Sequence, residues 1–369
     1  MKIIVKKFKD FKNEIINNDK ILKDIFNSYY NNKKSNYNNQ IPIHSESVDI
    51  IICVHNAYID VKNCIESVFK NTKEPYKIII IDDGSSEETE NYLIKIYENN
   101  KNVKLFRNNN PKGYTYAANI GLKESNADYR ILLNSDTIVT DGWLDKMIEC
   151  QKSNEKIGIV GPLSNFATWQ SVPVVFNKKN KWNKNKIPYK MNLDLYAKMI
   201  ESSSSRIYPE LPLLNGFCLL IYKEVVNKIG YLDEENFGSG YSEEDDYNLR
   251  AGKAGFKLAV ADDTFIYHVG TKSYSNKRKI LLCKENSKKL LDKHGDKLIS
   301  EKINILLYNY QLDYIRKKIR YNSNFNYINF PLVKQIVLRY NELMNIILEN
   351  NYILREIQKN ICTPHPPRE

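Results

Sequence analysis

Three polar clusters in this sequence stand directly behind apolar runs: Cys53-Val54-His55-Asn56, Asp82-Asp83-Gly84-Ser85 and Asn134-Ser135-Asp136. A fourth, Glu243-Glu244-Asp245-Asp246, opens a stretch reaching Arg250, and His268 closes the apolar run Phe265-Ile266-Tyr267 just before Gly270. Asp136, flanked by small polar groups, suits a hard divalent cation. Mg2+ or Mn2+ takes one or two carboxylates and completes its shell with substrate phosphate oxygens. His268 offers a second ligand position. Acidic residues in the first turn of a helix are favoured by its dipole. That accounts for two of the four carboxylates at 243–246 and leaves two over.

Positioning these groups requires a regular scaffold, and the sequence supplies one. Val48 to Val54 and Tyr76 to Ile81 read as buried strands, Val103 to Phe106 and Tyr129 to Leu133 as two more. Helices are expected over Val61 to Phe69, after Ser85 or Ser86 acting as N-cap, and over Tyr114 to Lys123. Continuous apolar strands alternating with helices mean a mostly parallel sheet covered on both faces, an α/β domain. Ligands bind such sheets beyond the carboxyl ends of the strands, which is where the three early clusters fall. Beyond Gly161 the patterning weakens over roughly 165–212. A strand from Leu213 to Tyr222, a helix from Glu243 to Ala254 and a strand from Phe256 to Ala261 then follow.

Taken in order, Val54-His55-Asn56, Ile81-Asp82-Asp83-Gly84-Ser85-Ser86, Asn119 within Ala117-Ala118-Asn119-Ile120-Gly121, Leu132-Leu133-Asn134-Ser135-Asp136, Glu243 to Arg250, and His268-Val269-Gly270 resemble the family 2 glycosyltransferases of GT-A fold. The resemblance covers about residues 48–275. It implies a Rossmann-like GT-A domain there, preceded by a helical extension and linker (1–47) and followed by a basic helical region (276–369). It also implies a nucleotide-diphosphate sugar donor, with Cys53, His55, Asn56, Asp83, Gly113, Asn119 and Ser135 on the nucleotide side. Asn134-Ser135-Asp136 stands where such enzymes carry an Asp-x-Asp metal motif, so Asp136 and His268 would hold Mn2+ or Mg2+, with Asn134 replacing the first Asp. The catalytic base falls within Glu243-Glu244, and the register favours Glu244. One displacement with one base inverts the anomeric centre. Bacterial surface polysaccharide or glycoconjugate synthesis is the implied setting, with a glycan, a lipid-linked intermediate or a protein Ser/Thr hydroxyl as acceptor. The stretch 162–212, including Phe166-Ala167-Thr168-Trp169, would shape the acceptor side.

Composition limits the other readings. The chain has 369 residues, 42% hydrophobic and 27% charged, which is globular. Neither a leader nor an apolar run of ~18 residues is present, so a cytoplasmic protein is expected. Six scattered cysteines without a Cys-x-x-Cys pair fit reduced thiols rather than zinc. A nicotinamide enzyme would need a Gly-rich turn after the first strand, where Cys53-Val54-His55-Asn56 stands. A sugar nucleotidyltransferase would need a Gly-rich, Arg-containing loop near its start. A non-catalytic binder of anionic ligands leaves the carboxylates without a role, and nucleic acid is not the expected partner.

The net charge of +11 sits in the tail, with 19 Lys and Arg against 9 Asp and Glu from Thr271 onward. Val333, Ile336, Tyr340, Leu343, Ile347, Asn350, Leu354, Ile357 and Ile361 form a heptad-like stripe that fits a homodimer seam or packing on the domain. Ile315 and Ile319, bordered by Arg316, Lys317, Lys318 and Arg320, read as an interfacial strip that would hold the protein peripherally on the anionic inner face of the cell membrane.

Overall fold

The computed structural model describes residues 45–323, except 179, 189–190, 239 and 271–275, and leaves the side chains of 276–280 undescribed. The expectations for the N-terminal extension, for the Val333–Ile361 stripe and its dimer, and for Cys362 lie outside the described residues.

Eight strands form the sheet: β1 (Val48–Val54), β2 (Lys77–Asp83), β3 (Val103–Asn108), β4 (Tyr129–Asn134), β5 (Thr137–Ile138), β6 (Ile157–Ser164), β7 (Cys218–Tyr222) and β8 (Lys257–His268). Their order is β3-β2-β1-β4-β7-β6-β8-β5. The first four pair in parallel, as do β6 and β8, whereas β7 runs antiparallel between β4 and β6 and β5 closes antiparallel on β8. The architecture is the expected mostly parallel α/β sheet.

Apolar strand runs follow from burial on both faces. Ile50 and Ile52 of β1, with Ile78 and Ile80 of β2, pack on one face; Ile51, Ile79 and Ile81 pack on the other. Each of these isoleucines is at most 1% exposed, and burying such a side chain stabilises the fold by roughly 1.5–3 kcal/mol. Helices α1 (Tyr58–Asn71), α2 (Glu87–Asn99) and α4 (Trp143–Lys152) cover the first face through Val61, Ile65, Leu93, Trp143 and Met147. The second face is covered by α3 (Tyr114–Glu124), α5 (Leu193–Ser203), α6 (Lys223–Ile229) and α8 (Glu243–Lys253), which contribute Leu122, Ile200, Val225 and Tyr247. The short α7 (Glu234–Phe237) leads towards α8.

Two sequence expectations are corrected. The strand expected from Leu213 begins at Cys218, because 213–217 is a loop whose backbone is held by side chains: Gln170 Oε1 accepts from Asn215 N at 2.6 Å, and Asn248 Nδ2 donates to Leu214 O at 2.7 Å. The strand expected to stop at Ala261 continues to His268, because Asp262 accepts at 2.6 Å from Ser204 Oγ and Asp263 pairs with Arg206 Nε at 2.7 Å.

The tail region brings a third correction. Helices α9 (Asn276–His294), α10 (Asp296–Leu307) and α11 (Tyr310–Ser323) follow β8. Ile315 and Ile319 are 2% and 0% exposed and join the second-face core, so the apolar strip faces the domain rather than a membrane surface. Arg316 is also buried, donates to the carbonyls of Trp169 and Ser171, and pairs with Asp313. Burial pushes its guanidinium below the usual range, and Lys318 is pushed down for the same reason. The expected membrane-binding face of this helix is therefore withdrawn. Among the described residues no helix is long and apolar enough to cross a membrane.

Candidate active site

The strand register brings the early polar clusters to one edge. Cys53 pairs with Ile81 on one side and Asn134 on the other, and Asp83 pairs with Asn108. The loops beyond are stitched together. His55 Nδ1 lies 2.8 Å from Asp83 O, Asn56 N donates to Ser85 Oγ at 2.9 Å, and Ser86 N donates to Asn56 Oδ1 at 2.8 Å. Asn56 and Ala57 make the turn with φ of 59° and 58°, a left-handed conformation that needs such support.

Asp83 organises the neighbouring loop. Its carboxylate accepts from Asn108 Nδ2 (2.8 Å), Lys112 N (2.9 Å) and Gly113 N (2.8 Å). Asp82 points differently, to Arg107 and to Ser85 N at 2.9 Å. Burial, with the charge of Asp83 added, pushes the Cys53 thiol far above its ordinary range, so it stays protonated. Asn119 is buried one layer behind. Its amide donates to Leu232 O (3.0 Å) and Glu234 Oε2 (3.2 Å) and accepts from Leu232 N (3.0 Å).

Asp136 and His268 lie 132 positions apart and meet because β5 pairs with β8: Thr137 sits opposite His268, and Val269 N donates to Asp136 O at 2.9 Å. His268 Nδ1 lies 2.7 Å from Phe166 O, which assigns the proton to that nitrogen. Nε2 then faces Asp136 Oδ1 at 3.3 Å. Asn165 fixes this strand end reciprocally, accepting from His268 N at 2.7 Å and donating to His268 O at 3.0 Å. Burial opposes the charge of Asp136, but a protonated His268, hydrogen-bonded to it, outweighs that and holds the carboxyl below its usual range. In the neutral imidazole, whose one proton sits on Nδ1, a carboxylate oxygen and a nitrogen lone pair face each other instead. A cation between them satisfies both, and a carbonyl-anchored imidazole is the usual form of a His ligand. These two side chains fit a divalent cation that takes its remaining ligands from diphosphate and water. Ser135 is half-buried in the turn between β4 and β5.

The four acidic residues at the start of α8 divide by environment. Asp246 is fully buried and saturated by Arg250 Nε (2.8 Å), Lys293 Nζ (2.6 Å) and His294 Nε2 (2.8 Å), which keeps it below the ordinary range despite burial. Glu243 and Asp245 are pushed well above the ordinary range, by burial first and by neighbouring carboxylates second. Burial also raises Glu244, but the backbone of Gly216, Ser242 and Asp245 hydrogen-bonds to its carboxylate and pulls it back. Of the two, Glu244 is therefore the more readily ionised.

The 213–217 loop joins this group to the Asp136–His268 pair. Gly216 packs under the side chain of Glu244, and the next residue, Phe217, stacks on His268 with centroids 5.2 Å apart and planes at 18°. Tyr114 belongs to the same neighbourhood: burial above all pushes its phenol far up.

Residues 49–229 match the family model described as "Glycosyl transferase family 2". These residues form a domain of that family. Among curated relatives, an uncharacterized glycosyltransferase of Haemophilus influenzae is 30% identical over 114 residues, 31% of this chain and 35% of that one. The poly-β-1,6-N-acetyl-D-glucosamine synthase of Staphylococcus aureus is 28% identical over 192 residues, 52% of this chain and 43% of that one. The matched regions thus span well under half of these relatives' length. In three dimensions the chain resembles a mannosyltransferase of Pyrobaculum calidifontis solved with GDP-Man and Mn2+: TM-score 0.51, 12% identity, covering 91% of this chain and 92% of that one. At that identity the likeness speaks for the shared GT-A fold.

Several residues of the candidate site escaped the sequence reading. Asn165 ends β6 just as the recognised clusters end β1, β2 and β4, so the same strand-end rule could have found it. Gln170 is fully buried, donates to Pro162 O at 2.8 Å and holds Asn215 N. No periodic signal marks it, nor Gly216, Phe217 or Tyr114.

Proposed function

We propose that the protein is an inverting glycosyltransferase that moves a sugar from a nucleotide-diphosphate donor to an acceptor hydroxyl, in the assembly of a bacterial surface polysaccharide or glycoconjugate. The observation that carries this reading is the 213–217 loop, where consecutive residues touch a carboxylate base candidate and a metal-ligand candidate. The two halves of the chemistry are thereby set side by side.

On the donor side, Cys53, His55, Asn56, Asp83, Gly113 and Ser135 form the nucleotide wall at the sheet edge, with Asn119 setting the backbone behind it. Asp136 and His268 would hold the divalent cation, Mn2+ or Mg2+, which when bound offsets the negative charge of the departing diphosphate as a Lewis acid. On the acceptor side, Glu244 takes the proton of the attacking hydroxyl as its oxygen bonds to the anomeric carbon and the carbon–phosphate-oxygen bond breaks. Glu243, pushed up further than its neighbour, leaves Glu244 the more readily ionised of the pair. Attack from the face opposite the leaving group inverts the centre in one step. The relative from Staphylococcus aureus is named as a polysaccharide synthase, which supports a glycan acceptor.

The test is a panel of UDP-, dTDP- and GDP-sugars incubated with the protein and Mn2+, with the products read by mass. Consumption of one donor with release of its nucleoside diphosphate is expected. If no donor in the panel is consumed, the proposal fails.

A further inference from the structure

Helix α8 is entered through an unusual turn. Gly240, Tyr241 and Ser242 have φ of 89°, 68° and 72°, three left-handed residues in succession, and Glu243 and Glu244 follow at once. Non-glycine residues stay in this conformation only where their surroundings hold them, and such strain gathers at functional sites. Any change of φ in this turn swings the two glutamates that come next.

The hold comes from α9, which lies beyond residues 49–229 matched by the family model. Asn286, 4% exposed, donates from Nδ2 to Gly240 O at 2.8 Å and to Tyr241 O at 3.0 Å. Both amide hydrogens are thus placed on the carbonyls of the strained turn. The same helix grips either side of it: Lys289 Nζ donates to Asn236 O at 2.8 Å, while Lys293 and His294 bind Asp246 within the first turn of α8. From the other side Tyr114 adjoins the turn, its Cβ 3.5 Å from where a Cβ at 240 would stand.

We propose that Asn286 is a positioning residue for the transfer reaction, locking the 240–242 turn so that Glu244 stands where it can deprotonate the acceptor. Asn286 touches neither donor nor acceptor and acts through the glutamate. This inference rests on the reading of Glu244 as the base. Carbonyl-directed donors are the essential chemistry. Asn286→Asp keeps the shape and turns one donor group into an acceptor aimed at two carbonyls, so it is disruptive. Asn286→Ser keeps one donor.

The experiment compares Asn286→Ala, Glu244→Gln and the double variant, in the full chain, using the nucleotide sugar that the wild type consumes. Asn286→Ala should lower kcat by roughly 10- to 100-fold, with the donor KM within about twofold of wild type, the pattern of a displaced catalytic group. In the Glu244→Gln background it should cost almost nothing further, because both changes remove one function. Hydrogen exchange of the 240–246 amides, measured without donor, should accelerate in Asn286→Ala while thermal unfolding shows an intact fold. Losses that multiply in the double variant, or wild-type exchange across 240–246, would overturn the proposal. If Glu244→Gln itself keeps the wild-type rate, the base assignment fails, and the exchange measurement still decides whether Asn286 locks the turn. Should Asn286→Ala not fold, Asn286→Ser serves in the same comparison.

Discussion

Gly216 lies directly beneath Glu244: a Cβ at position 216 would stand 3.1 Å from Glu244 Cβ, 3.3 Å from Cγ and 3.4 Å from Cδ. The loop backbone therefore serves as the rest on which the proposed base is aimed, and its amide as one of the donors that counter the effect of burial on that carboxyl. Gly216→Ala forces Glu244 aside by a few tenths of an ångström without opening a cavity. We expect kcat to fall about tenfold, given what small misplacements cost an aligned reaction, while thermal stability changes little. A variant of unchanged kcat would show that the contact does not aim the base.

The Asp136–His268 pair gives a second prediction. Asp136→Asn removes the carboxylate of the proposed two-residue ligand set and should abolish transfer and Mn2+ binding, leaving circular dichroism and the melting temperature near wild type. His268→Ala should mainly weaken metal affinity, and excess chelator should silence the wild type. Mn2+ binding by Asp136→Asn at wild-type affinity would rule out this site.

Gln170 supplies a third. Its buried amide joins Pro162 O to Asn215 N and so fixes the loop that carries both Gly216 and Phe217. Gln170→Ala takes a hydrogen-bond partner from the buried Pro162 carbonyl and from the half-buried Asn215 N–H, and a buried polar group left unsatisfied costs about 1–3 kcal/mol. Chemical denaturation should register that loss, with a drop in turnover beyond what the unfolded fraction explains.

A fourth concerns pH. Burial, and then repulsion from Asp262, push the Asp263 carboxyl up to about 6 against the pull of Arg206 and Lys146. A carboxyl raised in the folded state favours folding while protonated in both states. That contribution is present below the unfolded value of about 4 and is lost as pH rises through about 6. At 1.36 kcal/mol per unit it amounts to roughly 2–3 kcal/mol. Asp263→Asn has no such loss, so its melting temperature should gain on the wild type between pH 4.5 and 7. Parallel curves for the two proteins would contradict this assignment.

The sheet was legible because its central strands are buried on both faces, which writes them as unbroken isoleucine runs from Ile50 to Ile52 and from Ile78 to Ile81. The candidate site was legible where a polar cluster ends such a run, as at His55, Asp83 and Asp136. Three kinds of feature were not. Helix α5 lies in an Asn- and Lys-rich stretch, although Leu193, Tyr196, Ala197 and Ile200 carry helical spacing that closer inspection would have shown. The continuation of β8 through Asp262 and Asp263 looked like a strand end because buried carboxylates break the apolar pattern, and Arg206 and Ser204, which satisfy them, lie far off in sequence. The strip of Ile315 and Ile319 was real, but an amphipathic helix shows the same stripe to a membrane and to its own domain. The burial of Ile315 and Ile319 in the domain core, with Arg316 bonded to the carbonyls of Trp169 and Ser171, distinguishes the two.

The central claim is that Glu244 deprotonates the acceptor. Glu244→Gln keeps the shape of the side chain and removes its basicity, so the turnover of this variant on the accepted nucleotide sugar is the most direct measurement. The account predicts a kcat lower by about 10²–10⁴-fold, the usual contribution of a positioned general base, with donor binding retained. Wild-type turnover by Glu244→Gln, or a severe loss in Glu243→Gln paired with a mild one in Glu244→Gln, would contradict the assignment.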